Sequence, residues 1–142
     1  MKSQPLPLRT IRMAIVTFLL HASGSVFGGE DALPQPPREF RAAWVATVAN
    51  IDWPSEPGLS SQRQQEEFER IVQRARELHL NALILQVRPA CDALYDSERE
   101  PWSPYLTGKM GKPPEPYYDP LRFAIDCAHR HGLELHVWFN PY

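Results

Sequence analysis

The pattern of apolar and polar positions changes period several times along the chain. From Phe40 to Ala49 the run FRAAWVATVA is rich in small, β-branched and aromatic residues. Such a run predicts a strand buried on both faces. Asn50 to Gly58 (NIDWPSEPG) breaks it with polar residues, prolines and a glycine. The period then becomes helical. Phe68, Ile71, Val72, Ala75 and Leu78 recur on one face, with Glu66, Glu67, Glu69, Arg70, Arg74 and Glu77 on the other. Ser61 stands where a hydroxyl can cap this helix, and Gln64 three residues on completes a capping-box pattern. LILQV (Leu83 to Val87) predicts a second buried strand, ended by Arg88-Pro89. A second helix is expected from Asp119-Pro120, an N-cap followed by proline at the first helical position. Its buried stripe would be Leu121, Ala124, Ile125 and Ala128, with Gly132 as the C-terminal stop. LELHVWF (Leu133 to Phe139) reads as a third strand.

The order strand, helix, strand, helix, strand predicts an α/β fold with a parallel sheet and right-handed crossovers. Three strands and two helices close nothing, and the last strand has no helix to follow it. The expectation is therefore a truncated unit of a larger fold. Between Val87 and Tyr118 lies a connection far longer than the 2 to 6 residues usual for βα loops. It carries Tyr95, Trp102, Tyr105, Tyr117 and Tyr118, which argues against disorder.

Composition refines this picture. Hydrophobic residues make up 43% and charged residues 23%, as in a globular chain. The 15 prolines are about twice the usual share, and many sit in Pro34 to Pro37 and Pro101 to Pro120, which should be loops. A net charge of -2 gives no basic patch for nucleic acid. Residues 1–28 read as a secretory signal: Lys2, Arg9 and Arg12, an apolar run from Met13 to Leu20, then Val26 and Gly28 before a cut ahead of Gly29. Three of the 15 basic residues and none of the 17 acidic ones lie there, so removal takes the charge from -2 to about -5. The apolar run is shorter than the ~20 residues a bilayer span needs, so no stable membrane insertion is expected after cleavage. Residues 29–38 form a Pro-rich linker. An exported chain meets an oxidising compartment, where Cys91 and Cys127 are either a disulfide or, the simpler reading, two small buried apolar residues.

In parallel α/β folds the working face lies at the C-terminal ends of the strands. The first strand delivers Asn50, Asp52 and Trp53 there; the second, Gln86, Arg88 and Asp92; the third, Trp138, Asn140 and Tyr142. The long loop adds Tyr95 and Trp102. Aromatic faces, amides, carboxylates and arginine together suit a sugar, which offers C–H faces and hydroxyls. A nucleotide site would want a glycine-rich turn after the first strand, and VANIDWPSEPG supplies none. Plainer roles exist for the same residues. Trp44 and Trp138 fit a core, Arg88 and Asp92 can pair with each other, and Asn50 and Asn140 can form turns. His79, His129 and His131 fit helix C-termini.

The blocks EFRAAWVATVANIDWP, LNALILQVRPACDALYDSEREPWSPYLTGKMGKPP and YYDPLRFAIDCAHRHGLELHVWFNPY resemble the opening of the glycosyl hydrolase-like 10 family, from Glu39 to Tyr142. The resemblance implies the first βαβαβ part of a (β/α)8 TIM-type barrel, exported to the periplasm, cell envelope or exterior of a bacterium. It also implies hydrolysis of a glycan, with cell-wall peptidoglycan strands as the substrate class and carbohydrate as the partner. Asn50, Asp52, Trp53, Gln86, Arg88, Tyr95, Trp102, Asn140 and Tyr142 would line the substrate groove. Glycoside hydrolysis uses two carboxylates and calls for neither metal nor cofactor. Asp52 and Asp92 are the strand-end carboxylates in hand, with Asp92 the better catalytic candidate. The family's acidic strand-end motif of the DDYF kind is expected downstream of Tyr142.

Overall fold

A computed structural model describes residues 39–142; the expected signal peptide (1–28) and linker (29–38) lie outside the described residues. The elements are β1 (Ala42–Val45), a 3-10 turn (Val48–Asn50), α1 (Ser61–Glu77), β2 (Ala82–Arg88), a short α2 (Pro104–Thr107), α3 (Pro120–Arg130) and β3 (Glu134–Phe139). The strands form one parallel sheet in the order β1-β2-β3. Trp44 lies level with Ile84, and Ile84 with His136. Gln86 faces Trp138, and an irregularity after Gln86 brings Arg88 level with Phe139.

The expected elements form, with corrections at their ends. α1 is capped by Ser60, whose hydroxyl accepts from the Arg63 amide at 3.3 Å. Ser61 lies one position inside and donates to the Pro116 carbonyl. The capping box does not form, because Gln64 points inward and is fully buried. Its Nε2 donates to the Leu59 and Leu106 carbonyls, both at 2.9 Å, and its Oε1 accepts from the Tyr118 hydroxyl at 2.6 Å. One side chain thus joins the start of α1 to α2 and to the segment before α3. The cap on α3 is as expected: Asp119 accepts from the Arg122 amide at 3.0 Å, with Pro120 next.

The core lies between β2 and the helices. Leu83, Leu85 and Val87 point to one face of the sheet and meet Phe68, Val72 and Ala75 of α1 and Ala124, Cys127 and Ala128 of α3. The two helices pack on each other and so share that face. Leu121 and Ile125 of the expected α3 stripe are only half-buried, and Cys127 takes the central place. Leu78, at the last position of the expected α1 stripe, is exposed.

The opposite face of the sheet is open among the described residues. Trp44 is 61% exposed there, so β1 is not buried on both faces. Its ring meets Trp138 edge to face, with centroids 5.1 Å apart. Phe40 meets His136 in the same way at 5.2 Å. Both pairs reach from the β1 side to β3 across the intervening strand. Adjacent strands are separated by about 4.8 Å, so rings two strands apart can meet only by leaning over β2.

The long connection after β2 has structure of its own. Ala93 and Trp102 form a bridge, through Ala93 N to Pro101 O and Ser103 N to Ala93 O, both 2.9 Å. The Leu94 amide returns to the Val87 carbonyl at 2.9 Å. Leu94 and Leu106 are fully buried and anchor the loop to the core.

Candidate functional site at the strand ends

The C-terminal ends of the three strands are tied together by polar side chains acting mainly on backbone. After β1 the chain reverses through Ala49 and Asn50, both at positive φ (51° and 55°). Asp52 holds this reversal by accepting from the Ala46 amide at 2.7 Å. Asn50 Nδ2 donates to the carbonyls of Pro54 and Tyr105, both at 2.8 Å, and so fastens the reversal to α2. Gln86, fully buried, accepts from the amides of Thr47 and Val48 at 2.9 Å each. The side chain of β2 thereby fixes the path of the chain leaving β1. Gln86 Nε2 is buried without a partner among the described residues.

Between β2 and β3 the organising group is Arg88. Its Nε and Nη2 both lie 2.6 Å from Oε1 of Glu100, and its Nη1 donates to the Asn140 carbonyl. Asn140 answers through its amide to the Arg88 carbonyl (2.9 Å) and its Nδ2 to the Pro89 carbonyl (2.8 Å). The hydrogen bond that Arg88 donates to Glu100, together with the charge of that carboxylate, outweighs desolvation and raises the Arg88 pKa above its usual value, so the guanidinium stays charged. The side chains of Arg88 and Glu100 are 18% and 20% exposed, at the margin between protein and solvent.

Several expectations for individual residues change. Trp53 does not line a groove: it is fully buried, packs edge-on against Phe68 at 5.3 Å, and donates its indole N–H to the Gln64 carbonyl at 2.8 Å. Burial of so large a ring makes it a core residue. Asp92 is also fully buried and presents no surface to a substrate. Its Oδ1 accepts from the Ala90 amide at 2.7 Å, closing a turn around Cys91 (φ 56°), while Oδ2 has no partner among the described residues. Asp92 does not pair with Arg88; Glu100 does. Gln86 is buried too, as part of the frame beneath the surface. Asn50, Asp52, Arg88 and Asn140 stand at the strand ends as expected, though each is already bonded within the protein.

Trp102 is half-buried and meets Tyr117 edge to face at 6.3 Å; Tyr95 is half-buried against the core. The Tyr117 hydroxyl donates to Asp96 at 2.8 Å, and that bond, with some desolvation, raises its pKa. Tyr142 is 97% exposed, so it is not packed into the site. Both cysteines are free; Cys127 is buried and Cys91 is exposed, so only one fits the reading of two buried residues. Among the described residues no group of three or more His, Cys, Asp or Glu could hold a metal, and no helix is long and apolar enough to cross a membrane.

Glu100 escaped the sequence reading because it follows no strand directly. Its one local signal is Ser97 three residues earlier, whose hydroxyl accepts from the amides of Arg99 and Glu100, each at 3.2 Å. That turn, with the Ala93–Trp102 bridge, folds the loop back until Glu100 reaches Arg88.

Known proteins resemble this chain in sequence. The family model for glycosyl hydrolase-like 10 matches residues 39–141. The chain is 49% identical over 108 residues to a protein named glycosyl hydrolase YngK from Bacillus subtilis, covering 76% of this chain and 21% of that protein. It is 38% identical over 115 residues to glycosyl hydrolase DigH of Escherichia coli K12, covering 76% of this chain and 26% of that protein. The chain thus spans about a quarter or less of the length of these relatives. With a family match that takes in every strand and helix described above, the chain belongs to the glycosyl hydrolase-like 10 family.

Proposed function

We propose that this chain is the first part of an exported (β/α)8-barrel glycoside hydrolase that acts on a bacterial cell-wall glycan. The observation that carries the barrel is the winding of the sheet. Strand order β1-β2-β3 with both long helices on one face is what successive units of a singly wound barrel give. The first half of a doubly wound sheet, ordered 3-2-1, winds the same way, but its nucleotide site calls for a glycine-rich turn after the first strand, which VANIDWPSEPG lacks. The pairing of rings from β1 and β3 over β2 supports the same reading, since barrel interiors fill in layers contributed by alternate strands. The apolar groove of about 480 Å³ between β1 and α1, lined by Val45, Ile71, Ala75, Leu78 and Leu83, is then where a later helix packs.

In a barrel of this kind, Asn50, Asp52, Arg88 and Asn140 stand at the catalytic end, with Trp102 and Tyr95 beside them. Their common chemistry, hydroxyl-binding polar groups next to aromatic faces, suits a polysaccharide. The reacting acid pair is assigned to strands beyond residue 142, and no activity is expected of residues 29–142 by themselves. Export follows from the charged, apolar and small-residue order of residues 1–28.

The test is to incubate the full-length protein with purified cell-wall glycan strands and to follow new reducing ends by mass spectrometry. Cleavage supports the hydrolase. Binding without cleavage by a folded protein supports a second reading, a non-catalytic glycan-binding barrel, which the burial of Asp92 and the turn bond of Asp52 favour. In the same assay Asp92→Asn should leave turnover within a few-fold of wild type, because asparagine keeps the acceptor that closes the turn. A fall of about a hundredfold or more, the range usual for loss of a general acid or base, would restore Asp92 as a reacting group.

A further inference from the structure

We infer that Glu100 is a substrate-binding carboxylate, held by Arg88 so that its free oxygen accepts a hydroxyl of the bound sugar. The inference rests on the carbohydrate reading above and goes further by naming the group that the geometry presents. Three observations support it.

The sequence places Arg88 among the residues that would line the substrate groove. Each nitrogen of that side chain is already engaged within the protein: Nε and Nη2 are both on Glu100 Oε1, and Nη1 is on the Asn140 carbonyl. The group left open is on the other side of the pair. Glu100 Oε2 has no hydrogen-bond partner among the described residues, and it is not one of the fully buried unpartnered atoms. The free carboxylate oxygen offers its lone pairs to a donor, which suits a sugar hydroxyl.

The position is also pre-organised. The Glu100 amide is bonded to Ser97 Oγ, and the next residue, Pro101, is held through its carbonyl by the Ala93 amide. Arg88 in turn is fixed by the end of β3. Two nitrogens of its planar fork hold one carboxylate oxygen in place, which the single ammonium of a lysine would not do. Arg88 is therefore a positioning residue acting through Glu100, and little ordering cost remains when substrate arrives.

Finally, the pair sits over the ends of β2 and β3, with half-buried Trp102 two residues further along the same loop. A hydroxyl acceptor close to an aromatic ring is the minimal equipment of a pyranose subsite.

The experiment uses the full-length protein and a soluble tetramer of β-1,4-linked N-acetylglucosamine, with binding measured by calorimetry and turnover measured separately on glycan strands. Glu100→Gln keeps the shape but removes the charge. It should raise the Kd for the tetramer roughly ten- to a hundredfold, as loss of a hydrogen bond to a charged group does. KM should rise with it, while kcat stays within a few-fold and the acidic limb of the pH profile does not move. Arg88→Lys should show a smaller loss of affinity, and thermal unfolding of both variants identifies any failure to fold. Glu100→Asp, which keeps the charge, should recover part of the affinity and provides a second comparison if Glu100→Gln unfolds. An unchanged Kd and KM overturns the inference. So does a collapse of kcat at constant Kd, which would make Glu100 a reacting group. If wild type binds the tetramer but cleaves no glycan, the hydrolase reading fails while the Kd comparison still decides the role of Glu100. Absence of wild-type binding to both tetramer and strands overturns the inference together with the carbohydrate reading.

Discussion

Single residues in this protein carry more than their sequence positions suggest, and Tyr118 is the clearest case. Its ring is half-buried between Gln64 and Phe123, and its hydroxyl bonds to Gln64 Oε1. Burial, then the charge of Asp119, raises its pKa well above the ordinary value. The folded state therefore keeps this proton to higher pH than the unfolded state does. The associated stability is complete below about pH 10, where an unfolded tyrosine titrates, and is lost as pH rises above it. Cys127, raised chiefly by burial, acts in the same direction from the ordinary thiol range. Tyr118→Phe should lower stability by about 1–2 kcal/mol near neutrality, because Gln64 Oε1 loses its partner. The same variant should flatten the loss of stability between pH 9 and 11, as urea unfolding at several pH values would show. An alkaline slope equal to that of wild type would remove Tyr118 from this account.

At the scale of elements, the boundaries are set by caps that also act as tethers. Asp119 accepts from the Arg122 amide with one oxygen and from the Asp96 amide with the other, at 3.0 and 3.1 Å. It begins α3 and fastens the preceding loop in one step. Asp119→Ala should cost about 1–2 kcal/mol, at the upper end for an N-cap. Asp119→Asn retains the acceptor for the helix but not the second one for the loop, so it should cost less. Chemical unfolding of the two variants separates the contributions; equal losses would mean that the tether carries the effect. The sequence marked this helix start correctly because the signal is local: a short acceptor followed by proline. It misplaced the cap of α1 by one residue, since Ser60 and Ser61 are equally good acceptors. The choice between them was made by Pro116, which lies 55 residues away from Ser61 in the chain.

At the scale of the molecule, the described residues bury one face of a parallel sheet and leave the other open. Trp44 on that face, with Val137 and Phe139 near the β3 edge, is exposed. Apolar surface of this kind, next to unpaired strand edges, promotes association. Residues 29–142 produced by themselves should bind a hydrophobic dye and form oligomers with rising concentration, while the full-length protein should do neither. Light scattering after size exclusion measures this directly. A monomeric product that unfolds cooperatively would contradict the proposed barrel, in which later strands and helices cover these surfaces.

The sequence by itself determined the alternation of strands and helices, the start of α3, the stop at Gly132 and the three strand ends where polar residues gather. Each of these depends on residues close together in the chain, through periodicity, capping and backbone freedom. Tertiary structure decided the rest. Phe40 to Ala49 reads as buried on both faces, yet only packing partners could show that Trp44 lies on the side away from the helices. Trp53 and Asp92 stand at strand ends like their neighbours, but the core took the ring of one and a turn took the carboxylate of the other. Glu100 reached Arg88 only because the Ala93–Trp102 bridge returned the loop to the sheet. Local patterns fix what each segment becomes, whereas burial and charge pairing depend on which distant segments arrive beside it, and that information is spread over the whole chain.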